Sequence, residues 1–315
     1  MKKPVFLYRM FFQLCMIILV AEKGYAQQIP DFRNENLTHT ARINDLLKRL
    51  TVEEKVGMLI ASAESIPRLE IEKYYHGNEA LHGVVRPGNF TVFPQAIGLA
   101  STWDAPLMHQ VATAISDEAR ARWNQLDGGK KQLLKFNDLL TFWSPVVNMA
   151  RDPRWGRTQE CYGEDPFLSG VLGVQFVKGL QGNHPRYLKT VATPKHFAVY
   201  NQETNRFLNN AIVPIRMLRE YYLPAFEACV VEGKSASIMT SYNAVNGIPT
   251  GANKFLIDEI LRKEWGFQGY VVSDCGADPT GATVSRETTP VPPASGASDD
   301  VGKGDSRTCD ELNQI

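Results

Sequence analysis

The chain has few cysteines and no surplus of charge of either sign. Its five cysteines among 315 residues include no Cys-x-x-Cys pair and no neighbouring histidine pattern, which zinc sites of the finger type require. Basic and acidic residues are equally numerous, at 34 each, and no basic run offers a surface for nucleic acid. The composition therefore argues against a zinc-bound domain and against a nucleic-acid partner.

Hydrophobic runs long enough to cross a membrane are also lacking, since a spanning helix needs roughly 20 apolar residues. The apolar stretch at residues 10–21 follows three basic residues and precedes Gly24-Tyr25-Ala26. This order predicts a secretory signal peptide over residues 1–26, cut after Ala26. We therefore expect a periplasmic or secreted protein without a membrane partner after cleavage. A single membrane anchor is the alternative.

Removal of that peptide leaves four scattered cysteines, namely Cys161, Cys229, Cys275 and Cys309. Export would permit disulfides, but a domain of this size does not depend on them. We expect buried free thiols.

Aromatic residues are absent from residues 277–315, where Ser, Thr, Pro, Gly and Asp are abundant. This composition predicts a tail over residues 278–315 that is disordered or read out of frame. The 43% apolar content of the chain nevertheless suffices for a large core, and 315 residues can form one α/β barrel.

Helix starts are signalled by side chains that cap backbone amides. Thr51-Val-Glu-Glu54 is a capping-box pattern, in which the threonine hydroxyl and the second glutamate satisfy amides at the helix start. Asp104 and Asp165 each stand one or two residues before a proline, which predicts two further helix starts. Two more helices are predicted over about residues 217–231 and 253–264, each ending near a glycine.

Short apolar runs alternate with these helices from about residue 40 to 276, as in a parallel sheet wrapped by helices. The predicted strands are residues 80–85, 139–147, 190–192, 237–240 and 270–273. Loops at the carboxyl ends of barrel strands face the active site. Here such loops carry Glu79 and His82, residues 151–157, Lys195-His196, Tyr242-Asn243 and Asp274.

Six motifs follow one another along this region: Asn78-Glu-Ala-Leu-His-Gly83, Val92-Phe-Pro-Gln-Ala-Ile-Gly98, Arg151-Asp-Pro-Arg-Trp-Gly-Arg157, Pro194-Lys-His-Phe197, Met239-Thr-Ser-Tyr-Asn243 and Tyr270-Val-Val-Ser-Asp-Cys-Gly276. In this order they resemble the catalytic barrel of glycoside hydrolase family 3, the β-glucosidases and β-xylosidases. The resemblance covers about residues 37–277. It implies an α/β fold of the (β/α)8 TIM-like barrel type and hydrolysis of terminal non-reducing β-D-glycosidic bonds.

The resemblance also implies that Asp274 is the nucleophile of a retaining mechanism. In such a mechanism a carboxylate forms a covalent glycosyl-enzyme intermediate, while a second acid about 5 to 5.5 Å away protonates the leaving oxygen. Asp274 would have to stay ionised, and we expect Arg157, Lys195 and His196 to hold its pKa low by charge attraction. Without the other motifs, Asp274 would be interpreted as a helix cap after a strand.

Substrate binding is implied for the matching positions Glu79, Arg157, Lys195, His196, Met239 and Tyr242. A carboxylate such as Glu79 can accept from two neighbouring sugar hydroxyls at once. The cationic and imidazole groups would donate to the same ring. Alternative roles are a surface charge for Glu79, ion pairs for the cations, a buried core imidazole for His196 and plain core for Met239. Arg154 and Trp155 are expected to shape their loop.

Lys195 and His196 are adjacent, so in a regular strand their side chains would point to opposite faces. If both contact one sugar, the backbone must depart from strand geometry between them. We therefore predict a bulge or a cis non-proline peptide bond at this point.

The resemblance stops after residue 277. Family members continue with at least one more strand and helix, and often with a second domain that donates the general acid. We therefore expect an incomplete barrel that lacks its closing strand and helix. Our hypothesis is that a shifted reading frame or a premature end of the coding sequence accounts for it. Glu203, which follows a predicted strand, is a substitute acid that the sequence offers.

The sequence thus predicts a glycosidase without cofactor or metal, acting on a β-linked oligosaccharide or β-glycoside. Its turnover is expected to be impaired because the general acid is missing. The alternative is a non-catalytic sugar-binding remnant. The sequence does not separate glucose from xylose, because it does not show how the pocket treats a hydroxymethyl group.

Overall fold

The computed structural model describes residues 29–60, 62–86, 88–126 and 140–277, in two compact units that divide between residues 73 and 74. The predicted signal peptide and the C-terminal tail lie outside the described residues. The smaller unit contains helix α1 (His39–Arg49), helix α2 (Val52–Gly57), the short strand β1 (Ser62–Ala63) and 3-10 turns at Asp31–Arg33 and Pro67–Leu69.

The capping box at the start of α2 is confirmed. Glu54 N donates to Thr51 Oγ1 at 3.2 Å, and Thr51 N donates to Glu54 Oε2 at 2.9 Å. Two amides that the first turn of a helix leaves unpaired are thereby satisfied.

The larger unit alternates strands and helices. Its strands are β2 (Tyr74–Tyr75), β3 (Thr141–Phe142), β4 (Val191–Ala192), β5 (Asn210–Ala211), β6 (Ser237–Thr240), β7 (Ala244–Val245), β8 (Ile248–Pro249) and β9 (Tyr270–Ser273). Its helices are α3 (Ala96–Ala100), α4 (Ala105–Gln125), α5 (Pro166–Gln181), α6 (Ile215–Met217) and α7 (Pro224–Val231). Wider π-helical segments cover Leu218–Tyr222 and Phe255–Glu264, and 3-10 turns lie at Thr158–Glu160 and Thr250–Ala252.

The predicted helix starts at Asp104 and Asp165 are confirmed. Asp104 Oδ1 accepts from Leu107 N at 2.9 Å, and Asp165 Oδ1 accepts from Leu168 N at 2.6 Å. The helix predicted over residues 217–231 is instead divided into three pieces. Pro224 lacks an amide hydrogen, so it cannot continue a helical ladder and opens α7 as its first residue.

Four strands lie parallel in the order β3, β4, β6 and β9. Thr141 pairs with Val191, Phe197 bridges Thr240, and β6 pairs with β9 along its whole length from Ser237 to Thr240. Helix α5 connects β3 to β4, α6 and α7 connect β4 to β6, and the segment Phe255–Glu264 connects β6 to β9. These are successive βαβ units, and the predicted α/β class is confirmed.

Two predicted strands differ from the structure. Residues 80–85 are irregular, because Asn78 Nδ2 donates to Arg86 O at 2.6 Å and Val85 N donates to Glu79 O at 3.1 Å, which closes this segment on itself. Of the strand predicted over residues 139–147, the described residues 140–147 are regular only at Thr141–Phe142. A cis Ser144-Pro145 bond follows, and proline supplies no amide to a ladder.

The main apolar core lies between the parallel strands and their helices. Helix α4 packs on α5, and α5 packs on α7. Leu172, Phe176 and Phe226 from these helices are fully buried together with Ile238 of β6. No helix of the described residues is long and apolar enough to cross a membrane.

Cys161 and Cys229 are free thiols inside the core, as predicted, and burial raises the pKa of both. Cys275 is disulfide-bonded, so the expectation of a free thiol was wrong for this residue. Cys309 lies outside the described residues.

Gly179 of α5 lies so close to α4 that substitution by alanine should destabilise the fold. A methyl group there would stand 2.6 Å from Ala112 Cβ and 2.7 Å from His109 O. Alanine normally stabilises a helix interior by about 1 kcal/mol relative to glycine, but overpacking costs roughly 1–3 kcal/mol. We expect Gly179→Ala to lower the free energy of unfolding in urea denaturation.

Gly57→Ala is the matched control, because nothing lies within 4 Å of a methyl group at that helical position. It should leave stability unchanged or raise it slightly. Equal stability of the two variants would contradict the tight α4–α5 contact.

Candidate active site

Side chains from the carboxyl ends of the parallel strands converge on one buried cluster. Lys195 and His196 follow β4, Met239 lies within β6, and Asp274 directly follows β9. Parallel strands end at the same edge of a sheet, so these residues meet there although they are far apart in sequence. All four side chains are buried. Glu79, Arg157 and Tyr242, also buried, reach the cluster from loops.

The peptide bond between Lys195 and His196 is cis. The predicted departure from strand geometry at this point is therefore present. Lys195 directs its ammonium group to Glu79, and His196 directs its ring to Asp274. The side chains of Lys195 and His196 thus both contact residues of the same cluster.

Glu79 and Lys195 form a buried ion pair. Lys195 Nζ donates to Glu79 Oε1 at 2.6 Å, and Ser144 Oγ lies at 3.5 Å from Glu79 Oε2. Burial raises the pKa of Glu79 above its ordinary value, while the Lys195 charge opposes that rise. The pair ties the loop after β2 to the end of β4.

Arg157 is held by a carboxylate that the sequence analysis did not single out. Its Nε and Nη2 donate to the two oxygens of Glu160 at 2.6 and 2.7 Å, in the bidentate geometry that suits a guanidinium. Burial lowers the pKa of Arg157, but the hydrogen bonds and charge of Glu160 outweigh it and raise the pKa well above the usual value. Nη1 is buried without a hydrogen-bond partner among the described residues, which leaves one donor for a ligand.

Asp274 is the acidic residue at the centre of this edge. Its Oδ1 accepts from Cys275 N at 2.7 Å, its Oδ2 lies 3.4 Å from His196 Nε2, and its backbone amide donates to Thr240 O at 3.1 Å. Only 7% of the residue is exposed.

The expected low pKa of Asp274 was wrong in direction. Burial raises the pKa of this carboxyl, and the attraction of Arg157 and Lys195, although present as predicted, does not overcome it. The Tyr242 hydroxyl lowers the pKa as well. His196 adds no positive charge, because its own pKa is lowered well below the usual value.

His196 is neutral because burial, followed by the charges of Arg157 and Lys195, lowers its pKa well below the usual value. Asn148 fixes the ring: its Nδ2 donates to His196 O at 3.0 Å, so its Oδ1 faces His196 Nδ1 at 3.1 Å. This hydrogen-bond pattern assigns the proton to Nδ1 and leaves the Nε2 lone pair toward Asp274. Asn148 was missed by the sequence analysis, since its role depends on a contact across 48 residues.

Met239 lies on the face of β6 that is turned toward the site, and Tyr242 lies in the loop after β6. Met239 is 1% exposed but belongs to neither apolar cluster of the described residues, whereas its neighbour Ile238 faces the helices. Tyr242 packs against Tyr200 with ring centroids 5.7 Å apart, and the Arg206 guanidinium stands 4.3 Å above the Tyr242 ring.

Arg154 and Trp155, which precede Arg157 in its loop, make the kind of contacts that were predicted to shape this loop. Arg154 is exposed and paired with Asp152. Trp155 is buried and donates from Nε1 to Glu203 Oε1 at 2.9 Å.

A pocket of about 640 Å³ opens beside this cluster. Glu79 and Glu160 line it together with Leu81, His82, Phe90 and Gln159. Lys195, His196 and Asp274 do not line it. Of the predicted site residues, Glu79 alone reaches this space, so the pocket and the charged cluster share one wall.

Metal chemistry finds no support in the described part of the chain, where no group of three or more His, Cys, Asp or Glu side chains has a metal-binding arrangement. The expectation of a reaction without metal or cofactor stays a prediction.

Comparison with known proteins identifies the family. A model of the glycosyl hydrolase family 3 N-terminal domain matches residues 53–287. The chain is 40% identical over 277 residues to a xylan 1,4-beta-xylosidase of Xylanibacter ruminicola, and the match covers 86% of this chain and 31% of the relative. Beta-D-xylosidase 3 of Arabidopsis thaliana is 40% identical over 294 residues, with 83% and 37% covered.

Solved structures of related proteins support the same family. A family 3 exo-beta-xylosidase in complex with a xylobiose aziridine activity-based probe superposes with a TM-score of 0.71 at 36% identity, covering 81% of this chain and 34% of that one. Beta-glucosidase 3B from Thermotoga neapolitana in complex with glucose gives 0.64 at 33% identity, with 75% and 34% covered.

The chain belongs to glycosyl hydrolase family 3, and the resemblance carried by the six motifs is confirmed. It spans about a third of the length of the curated relatives it matches.

Replacing Asp274 by asparagine should stabilise the fold, because it removes a carboxylate whose charged form burial disfavours. At pH values well below 3.8, the ordinary pKa of the group, both the folded and the unfolded chain hold the proton. As pH rises, the unfolded chain loses its proton first, so the free energy of unfolding of the unmodified protein falls until the folded pKa is passed. We therefore expect Asp274→Asn to be more stable than the unmodified protein at pH 7.

Thermal denaturation of both proteins between pH 4 and pH 8 measures this difference, which should widen as pH rises. Asp152→Asn is the control, because Arg154 lowers the pKa of that exposed carboxyl. The control should show no stabilisation. A destabilised Asp274→Asn at pH 7 would mean that attraction outweighs burial.

Proposed function

We propose that this chain carries the nucleophile and the sugar-binding side of a retaining β-glycosidase. The observation that supports it most is the buried placement of Asp274 beside His196, with the Glu79–Lys195 and Arg157–Glu160 pairs in the same cluster. Membership of family 3 supports the same reaction class.

Asp274 acts on the anomeric carbon of a terminal β-linked sugar. A bond forms between its carboxylate oxygen and that carbon while the bond to the leaving oxygen breaks, and water then releases the sugar with retained configuration. The raised pKa of Asp274 is compatible with this role, because Arg157 and Lys195 favour the ionised form and sugar hydroxyls would add donors.

The surrounding groups hold the sugar. Glu79 accepts from neighbouring hydroxyls, Arg157 donates from its remaining Nη1, and Lys195 favours the ionised form of Glu79. Donors that strengthen on the sugar as charge develops raise the rate as well as the affinity. Met239 and Tyr242 provide the soft and flat walls on which the apolar face of a pyranose rests.

A general acid that protonates the leaving oxygen is not assigned among the described residues. Three carboxylates of the cluster and the residues packed around it are each paired with a cation: Glu79 with Lys195, Glu160 with Arg157 and Glu203 with Arg206. An acid that protonates the leaving oxygen must carry its proton before the reaction. We therefore propose that turnover of unactivated glycosides by these residues alone is impaired, and that sugar binding without turnover is the alternative function.

The proposed substrate is a β-D-xyloside, with a β-D-glucoside second, because the curated relatives at 40% identity are named xylosidases. The proposal includes export to the periplasm or the medium, as the predicted signal peptide implies.

Covalent trapping tests the nucleophile without needing the acid. A 2-deoxy-2-fluoro-β-D-xyloside with a dinitrophenolate leaving group requires no protonation to depart, so the glycosyl-enzyme should accumulate. We expect mass spectrometry of the full chain to find one fluoroxylosyl group on the peptide that contains Asp274. Asp274→Asn should remain unlabelled, while Asp152→Asn should label normally. A label on another carboxylate would reassign the nucleophile.

Calorimetry and a nitrophenyl xyloside assay separate the two functions. Xylose should bind the full chain, and Lys195→Met should weaken that binding at least tenfold, because it leaves Glu79 as an unpaired buried carboxylate. Binding together with undetectable nitrophenol release supports the sugar-binding alternative. Rapid nitrophenol release shows that an acid is at work and contradicts the proposed impairment.

A further inference from the structure

Glu203 collects three hydrogen bonds from different parts of the site. It accepts from Trp155 Nε1 at 2.9 Å, from the Tyr200 hydroxyl at 2.8 Å and from Arg206 Nη1 at 3.1 Å. Its side chain is 30% exposed. A carboxylate with three donors, one of them a guanidinium, is held in one orientation.

Tyr200 links Glu203 to the side chains of the proposed sugar site. The ring is fully buried and lies 5.0 Å from the His196 ring, 5.7 Å from the Tyr242 ring and 5.7 Å below the Arg157 guanidinium, measured between centroids or from the guanidinium carbon. Its hydroxyl is the one polar atom of the ring, and that hydroxyl donates to Glu203.

Trp155 and Arg206 extend the same arrangement. The Trp155 ring meets Tyr200 edge-on at 6.0 Å, and the Arg206 guanidinium covers the Tyr242 ring at 4.3 Å. Glu203 thus fixes three side chains that together contact His196, Arg157 and Tyr242. The carboxylate itself contacts none of those three in the described hydrogen bonds.

We propose that Glu203 is a positioning residue of the glycosidase site, which sets the orientation of His196, Arg157 and Tyr242 through the Trp155–Tyr200–Arg206 layer. This inference rests on the proposed function for its consequence, the affinity for sugar, but its structural content is independent of it. It also assigns Glu203 a role other than the substitute acid that the sequence suggested. A group committed to three donors is not free to deliver a proton.

The test combines a spectroscopic signal from His196 with sugar affinity. Nitrogen-15 histidine labelling of the full chain gives ring-nitrogen signals from six imidazoles, with two nitrogens each, and a His196→Gln variant assigns the pair from the site. In Glu203→Gln, which keeps the shape but loses the charge and one acceptor oxygen, the His196 signal should move. Calorimetry should show xylose binding about tenfold weaker than in the unmodified protein.

Glu264→Gln is the matched control, because it makes the same change to a glutamate paired with an arginine, Arg219, at an exposed position outside the cluster. Both measurements should be unchanged in this variant. If Glu203→Gln likewise leaves the His196 signal and the affinity unchanged, the proposal is overturned.

Tyr200→Phe guards against the case in which Glu203→Gln does not fold. It removes only the hydroxyl bond to Glu203 and keeps the ring, so a smaller shift of the same His196 signal is expected, and an unmoved signal overturns the proposal. A shifted His196 signal in a protein that binds no xylose supports the positioning role and refutes the sugar-binding function instead.

Discussion

Two buried ion pairs hold this site together, and the other side chains take their places around them. Lys195 binds Glu79 and Arg157 binds Glu160, with side chains no more than 8% exposed. Transferring such charges out of water is costly, and each is tolerated because its partner and geometry offset the loss of hydration. Neither cation can leave its carboxylate without stranding a buried charge. The Glu79–Lys195 pair therefore ties the loop after β2 to the end of β4, and the Arg157–Glu160 pair braces the loop after β3 from within.

The same burial decides the chemistry of Asp274. Removing water from the carboxylate raises its pKa, while the two cations that anchor the site lower it. The pKa of Asp274 is thus set by two opposing effects, burial and the attraction of the two cations. His196 contributes through its neutral ring, oriented by Asn148, and adds no charge to this balance. Burying the Asp274 carboxyl lowers folding stability, but it places a carboxylate where it can stabilise positive charge on a sugar carbon.

An aromatic layer links these charges to the rest of the fold. Tyr200 lies beneath Arg157 and against His196, and its hydroxyl is tied to Glu203. Aromatic rings are stiff and pack with defined geometry, so they transmit position better than flexible aliphatic chains do. The site residues lie at the carboxyl ends of the parallel strands, and the two buried ion pairs hold them together. The aromatic layer restricts the movement of these paired side chains.

Local patterns in the sequence determined the helix caps at Thr51, Asp104 and Asp165, the strands β6 and β9, and the position of Asp274 after the last of them. Each depends on residues within a few positions of one another, or on motif order. Other features were decided by the tertiary structure. Residues 80–85 look like a strand because they are apolar, but hydrogen bonds made by Asn78 and Glu79 fold that segment into an irregular loop. Glu160, Asn148 and Tyr200 gain their roles from contacts that composition does not encode. The pKa of Asp274 rises because desolvation depends on everything packed around a group, whereas the sequence reveals only which charges are available to oppose it.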